Sequence, residues 1–306
     1  MNMRHFKNAF ADSPPRLLVL LYHRVLPKIE FDPFRATVSE KTFSRQIDML
    51  ANTYPIISLN DAIRQCQTQR IKSKVQVVLT FDDGYLDNYE FAFPILQKKG
   101  LTAAFFLSTA YIGSDKPLWD CELMEILYNN QHIREVKVGR RVVRQSLLQP
   151  RIFFIRSALD KFKSLDSGLR DETLGLLREN SKDAGLSKNR CMSWEQIKEV
   201  HRCGMEIGAH GVSHTSLTRI PFTRAEKEIK ESKEIIEKNI EDACSHFAFP
   251  FGSRSDYSQG LIDCVRDSGF SSCLLNIHGY SHLKKDAFCF KRIIMKESTN
   301  LQYLLG

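Results

Sequence analysis

Apolar runs of strand length alternate with amphipathic helical stretches over most of the chain, and this alternation constrains the fold more than any other feature. The strongest run covers residues 75–81, is rich in Val and Leu, and stops at Asp82-Asp83-Gly84. A second continuous run, 17–22, ends at His23-Arg24. Apolar runs without polar alternation suit strands buried on both faces. Further strands are expected over 101–107, 205–209, 246–249 and 271–275. Between them the spacing is helical: Phe43, Ile47, Leu50 and Ala51 line one face of residues 42–53. Asn60 reads as the cap of a helix over 59–66. A helical segment runs to Lys99, broken or restarted at Pro94 and stopped by Gly100. Ser193-Trp194-Glu195-Gln196 and Thr223-Arg224-Ala225-Glu226 both fit capping boxes. Helices between strands carry the chain back to the same edge, so the strands are expected to be parallel.

The rhythm breaks between about residues 114 and 190. Helical pieces at 122–129, 149–163 and 171–180 surround a basic hairpin at 137–144, and this stretch reads as an insertion in a single domain spanning 1–306. With 306 residues, 42% hydrophobic and 26% charged, the chain is long enough to bury a sizeable core. No apolar run approaches the roughly 18 residues of a membrane helix. Asp12, Ser13, Pro14 and Pro15 interrupt the N-terminal segment before a secretory apolar region could form. The eight cysteines are scattered without a CxxC pair, as small core residues in a reducing, cytoplasmic compartment would be. The net charge of +8 suits a mildly basic protein, or one drawn to an anionic partner such as a membrane surface. No zinc-finger spacing or RNA-binding aromatic signature supports nucleic acid as a partner.

In a ring of parallel strands, functional groups collect where the strands end. Four expected strand ends carry polar or turn chemistry: Tyr22-His23, Asp82-Asp83, His210 and Pro250-Phe251-Gly252. An Asp-Gly turn alone is equally compatible with a surface turn. Two adjacent carboxylates after a buried strand, however, need a cation or a proton to offset their repulsion and desolvation. His210 and His214 stand four apart and converge on one ion if the intervening turn is helical; one buried and one exposed histidine is the competing reading. Asp83, His210 and His214 together make a three-ligand set with an open position, for which zinc is the default and cobalt, nickel or iron are compatible. Asp82 is then placed to take a proton from the water such an ion activates. His23 is the candidate acid, or else a histidine that ends a strand.

Leu79-Thr80-Phe81-Asp82-Asp83-Gly84-Tyr85, Glu206-Ile207-Gly208-Ala209-His210-Gly211-Val212-Ser213-His214 and Phe247-Ala248-Phe249-Pro250-Phe251-Gly252 resemble the three motifs of the polysaccharide deacetylases, carbohydrate esterase family 4. The resemblance covers roughly residues 15–112 and 190–296, and Leu20-Leu21-Tyr22-His23 is similar to the exopolysaccharide-associated branch. It implies an α/β fold, an incomplete TIM-like (β/α)7 barrel with a helical insertion. It also implies one divalent metal ion on Asp83, His210 and His214, with Asp82 as base. A backbone N–H at or near Phe251, beside Pro250, would hold the oxyanion. The implied substrate is an N-acetylated glycan or a lipid-linked sugar. The arginine that often orients the base in the third motif is missing, and Arg292 is the proposed replacement. His278 is the alternative acid to His23. Trp119 and Asp120 could line a sugar-stacking wall or pack within the insertion. Related enzymes remove formyl groups from lipid-linked amino sugars, and a barrel lacking the arginine could bind carbohydrate without turnover.

Overall fold

The structure, a computed structural model, describes residues 15–301 except 31, 34, 182–189 and 284–287. Residues 1–14, on which the expectation of no secretory signal falls, lie outside the described residues. β1 (Arg16–Tyr22) leads into a short parallel pair, β2 (Arg24–Leu26) and β3 (Thr37–Ser39), and then helices α1 (Glu40–Thr53) and α2 (Leu59–Thr68). β4 (Val75–Phe81), a π-helical turn at Asn88–Ala92, α3 (Phe93–Lys98) and β5 (Ala104–Leu107) follow. The stretch between β5 and β8, read from the sequence as an insertion, holds α4 (Trp119–Asn129), the antiparallel hairpin of β6 (Glu135–Val138) and β7 (Arg141–Arg144), α5 (Arg151–Phe162) and α6 (Ser167–Glu179). The chain resumes with α7 (Trp194–Arg202), β8 (Glu206–Ala209), α8 (Phe222–Ile240), β9 (His246–Ala248) and α9 (Gln259–Asp267). It ends with β10 (Ser272–Leu275), β11 (Ser281–His282) and β12 (Phe290–Ile294).

Seven strands pair in parallel in the order β1-β12-β10-β9-β8-β5-β4, and β4 pairs back onto β1. The barrel is therefore incomplete only in strand number; the ring itself is closed. Alternate residues of a strand point to opposite faces. Leu17, Val19, Val78, Ala104, Phe106, Ala248, Leu274 and Phe290 pack as one cluster drawn from around the ring, and this set fills the interior. Gly208 makes room there, since a Cβ on it would sit 2.5 Å from the Phe106 ring. Leu59, Ala62, Ile63 and Cys66 of α2 join the same cluster and plug the end of the barrel where the strands begin. The plug is fixed by Glu206, whose carboxylate accepts the Leu59 and Asn60 N–H groups at 2.7 and 2.8 Å. The other alternate set, including Leu18, Leu20, Val77, Leu79, Phe105 and Phe247, packs outward into a cluster that continues through Trp119, Phe154 and Phe162 of the insertion.

Two local expectations are corrected. The cap of α2 is Ser58, two residues before Asn60, because Glu206 already holds the Leu59 and Asn60 N–H groups and Ser58 accepts from Asp61. Thr223 and Glu226 form no capping box: Pro221 stands at the cap, and α8 starts at Phe222. The Ser193/Gln196 box does form. The helix before Lys99 widens into a π turn ahead of Pro94, which lacks an N–H to bond back one turn. Six cysteines are buried and unbridged, while Cys203 and Cys289 are exposed.

Candidate active site

Counting inward positions two by two along three strands carries the interior face past their ends: Val78 and Thr80 lead to Asp82, Val19 and Leu21 to His23, and Gly208 to His210. On β12 the same count goes from Phe290 to Arg292, which lies within the strand and reaches the mouth with its long side chain. All four side chains are thus delivered to the same mouth by strand periodicity. Asp82 and Arg292 meet there as a buried bidentate pair, with Nη1 and Nη2 donating to Oδ1 and Oδ2, each at 2.7 Å. Fork-to-fork geometry of this kind gives directional strength beyond a point charge. Burial alone would raise the Asp82 carboxyl; Arg292 first, then His210, override it and hold its pKa down to about 2.

Asp83 breaks the alternation. Its backbone is left-handed at φ 78°, which turns the side chain away from Asp82 and toward the loop after β8. Its Oδ1 lies 3.5 Å from His210 Nε2 and 3.3 Å from His214 Nε2. All three are buried, their ligand atoms lie within 4.8 Å of one another, and Asp83 Oδ1 accepts no hydrogen bond among the described residues. His210 Nδ1 donates to the Ala248 carbonyl at 2.8 Å, which leaves the Nε2 lone pair facing Asp83. Burial pushes the His210 imidazole down. Burial acts the same way on His214, but Asp120 and Asp83 outweigh it and raise that imidazole. An orphaned carboxylate oxygen facing two imidazole nitrogens fits a divalent cation: it is a three-donor set with the chemistry zinc, cobalt or nickel accepts.

The histidines converge by a different route from the helical turn expected. The loop is irregular, and Gly211 (φ 74°) and His214 (φ 50°) take left-handed conformations that fold the chain back. Phe251 is left-handed as well, at φ 61°. Such backbone is costly for non-glycine residues and gathers at functional sites. Gly252 follows because a Cβ there would lie 2.7 Å from the Asn276 nitrogen. The Phe251 ring stacks obliquely on His214 at 4.7 Å and meets Trp119 edge-on at 6.0 Å, and the Lys163 ammonium sits 3.7 Å from its centre. Phe251 N–H makes no hydrogen bond among the described residues.

His23 is half-buried, acts electrostatically on Asp82, and has an unpartnered Nδ1 among the described residues. His278 is exposed and lines a cleft of about 450 Å³ with Asn276, Arg292 and Lys296.

Sequence reasoning missed the supports of the His214 loop. Glu228 of α8 accepts the Val212 and Ser213 N–H groups at 2.7 and 2.9 Å and the Ser213 hydroxyl at 2.6 Å. Arg170 of α6, buried against the Trp119 ring, donates to Thr215 Oγ1 at 2.9 Å and to the Ser213 carbonyl at 3.0 Å. Trp119 Nε1 donates to the His214 carbonyl at 2.8 Å, and Asp120 Oδ1 lies 3.4 Å from His214 Nδ1. Trp119 and Asp120 therefore stand beside the histidine loop, and Trp119 also stacks within the insertion on Phe162.

A closed parallel barrel with this rim defines the class, and the sequence comparison agrees. The chain belongs to the polysaccharide deacetylase family, whose sequence model matches residues 69–272, more than half of its length. Both His23 and Arg292 lie outside the matched segment, so their placement rests on geometry. YxkH of Bacillus subtilis, whose name gives it to the same family, is 28% identical over 122 residues. That match spans 38% of this chain and about 40% of the length of YxkH. Among solved structures, the Streptococcus pyogenes deacetylase PplD, in complex with acetate, is 18% identical with a TM-score of 0.64, covering 96% of this chain and 98% of that one. IcaB from Ammonifex degensii is 18% identical with a TM-score of 0.62, covering 93% and 94%. A de-N-acetylase from Aggregatibacter actinomycetemcomitans is 16% identical at 0.62, covering 94% and 98%. At these identities the likeness establishes the fold.

Proposed function

We propose that this chain is a divalent-metal-dependent hydrolase that removes N-acetyl groups from an amino sugar of a glycan or a glycolipid precursor. The observation that carries the reading is the division of labour between neighbours: Asp83 Oδ1 faces two histidine nitrogens, while Asp82 is kept ionised beside them by Arg292. Asp83, His210 and His214 would hold the ion, which when bound supplies Lewis acidity, lowering the pKa of water and polarising the acyl carbonyl. Asp82, an ionised carboxylate 3.8 Å from His210 Nε2, takes the proton from the attacking water. Arg292 fixes both Asp82 oxygens, so the base has one orientation. The unpartnered Phe251 N–H is available to the oxygen that gains charge in the tetrahedral transition state. His23, at the next inward position after β1, returns a proton to the leaving amine, giving a free amino sugar and acetate.

The reading of a non-catalytic barrel drew on the missing third-motif arginine, and the Arg292–Asp82 pair removes that reason. The test is to incubate the purified chain with N-acetylglucosamine oligomers and with lipid-linked acetamido sugars, in zinc, cobalt or nickel, and to measure acetate and formate separately. Metal-dependent acetate release is expected. Formate without acetate would make it a deformylase, and neither acid from any substrate would overturn the hydrolase reading.

A further inference from the structure

The insertion carries a surface that the hydrolytic site does not use. Ten large apolar side chains are exposed among the described residues, and seven of them, Tyr128, Val142, Leu147, Leu148, Phe153, Leu169 and Leu176, belong to the insertion. The two most exposed are consecutive: Leu147 at 82% and Leu148 at 96%. An adjacent pair left this open to water has no role in the chain's own core. It is also held in place. Gln145 N–H donates to the Arg134 carbonyl at 2.8 Å, at the base of the hairpin. On the other side, the Arg151 guanidinium donates to the Leu127, Asn130 and Ile133 carbonyls at 2.6–2.9 Å and to Gln145 Oε1. The leucines thus ride on a connection pinned at both ends beside β6 and β7.

That hairpin is cationic. Residues 134–144 contain Arg134, Lys137, Arg140, Arg141 and Arg144 against one acid, Glu135, all of them exposed. Strand alternation turns Val136, Val138 and Val143 inward and puts Lys137 directly across from exposed Val142, with Arg144 two residues further on the same face. Apolar tips flanked by several basic side chains match a bilayer surface, where headgroup charge and acyl chains meet at one depth. We propose that the hairpin and the Leu147–Leu148 tip form a docking surface for an anionic lipid bilayer. A second copy of this chain fits less well, since a symmetric contact would set this cationic patch against itself. Nucleic acid would engage the arginines and leave the leucines in water. No described helix is long and apolar enough to cross a membrane, so the contact is peripheral. Docking there needs no turnover, so it stands or falls independently of the hydrolase reading.

Co-sedimentation of the full chain with vesicles tests this directly. Phosphatidylcholine vesicles containing phosphatidylglycerol should bind at least tenfold more protein than phosphatidylcholine alone. Raising the salt from about 0.05 M to about 0.5 M should weaken binding, because screening shortens to a few ångströms. Leu147→Glu/Leu148→Glu should cut binding at least tenfold, and Lys137→Glu/Arg141→Glu should abolish the preference for anionic lipid. Circular dichroism of each variant should match wild type, since all four residues are exposed. Several results would overturn the proposal: no wild-type binding to anionic vesicles at low salt, undiminished binding by the leucine variant, or a dimer in solution that this variant dissociates. Tight binding to duplex DNA that is indifferent to the leucines would overturn it as well.

Discussion

Asp82 and Asp83 are adjacent in sequence and chemically identical, yet they occupy opposite environments. Asp82 keeps the inward register of β4 and finds both oxygens bonded to a buried guanidinium. Asp83 leaves that register through left-handed backbone and keeps an oxygen with no donor among the described residues. The first is a satisfied charge and the second an unsatisfied one. Burial is tolerable for a paired carboxylate and expensive for an orphan unless a cation completes it. One residue of chain therefore separates the proposed base from the proposed ligand.

Breaking the orphaned side should have the largest effect. Asp83→Ala or His210→Ala should lose bound metal and activity together, measured by elemental analysis and acetate release. Asp82→Asn should leave the metal in place but lower turnover by roughly 10²–10⁴-fold, the contribution of a positioned base. Arg292→Met attacks the paired side and strands a buried carboxylate, so thermal unfolding should reveal a loss of about 3–5 kcal/mol. The same change should move the acidic limb of the pH–rate profile upward, because Asp82 loses the partner that holds it to about 2. For the wild type the sign is that of a depressed carboxyl. The pair stabilises the fold fully above the unfolded value of about 3.9, and that stability fades as pH falls through about 2. Arg170→Met and Asp120→Asn act through the His214 loop and should weaken metal affinity by about 10–100-fold, read by cobalt titration, with the barrel still folded.

The paired and orphaned sides were unequally legible in the sequence. Six of the seven ring strands, the dyad at the end of β4 and both histidines follow from apolar runs and what terminates them; the seventh, β12, which carries Arg292, is not among the strands those runs predict. Arg292 could be suspected because the third motif lacked its arginine, although 210 residues separate it from Asp82. The loop supports were not legible. Glu228 is one of several acids along a charged helix, and only the docking of α8 against the loop shows which of them faces Val212 and Ser213. Arg170 lies in an insertion whose helices have no periodic relation to the barrel. Spacing of four suggests a helical route by which His210 and His214 converge; the left-handed Gly211 and His214 do the work instead. Pro221 stands at the cap and α8 begins at Phe222, ahead of the apparent capping box.

The central claim is that three side chains from two distant loops share one cation. An anomalous-scattering map from crystals grown with zinc or cobalt tests it most directly. The account predicts a single strong peak about 2.0–2.2 Å from Asp83 Oδ1, His210 Nε2 and His214 Nε2. A map with no peak there, or with the metal bound elsewhere while the enzyme is active, would contradict it.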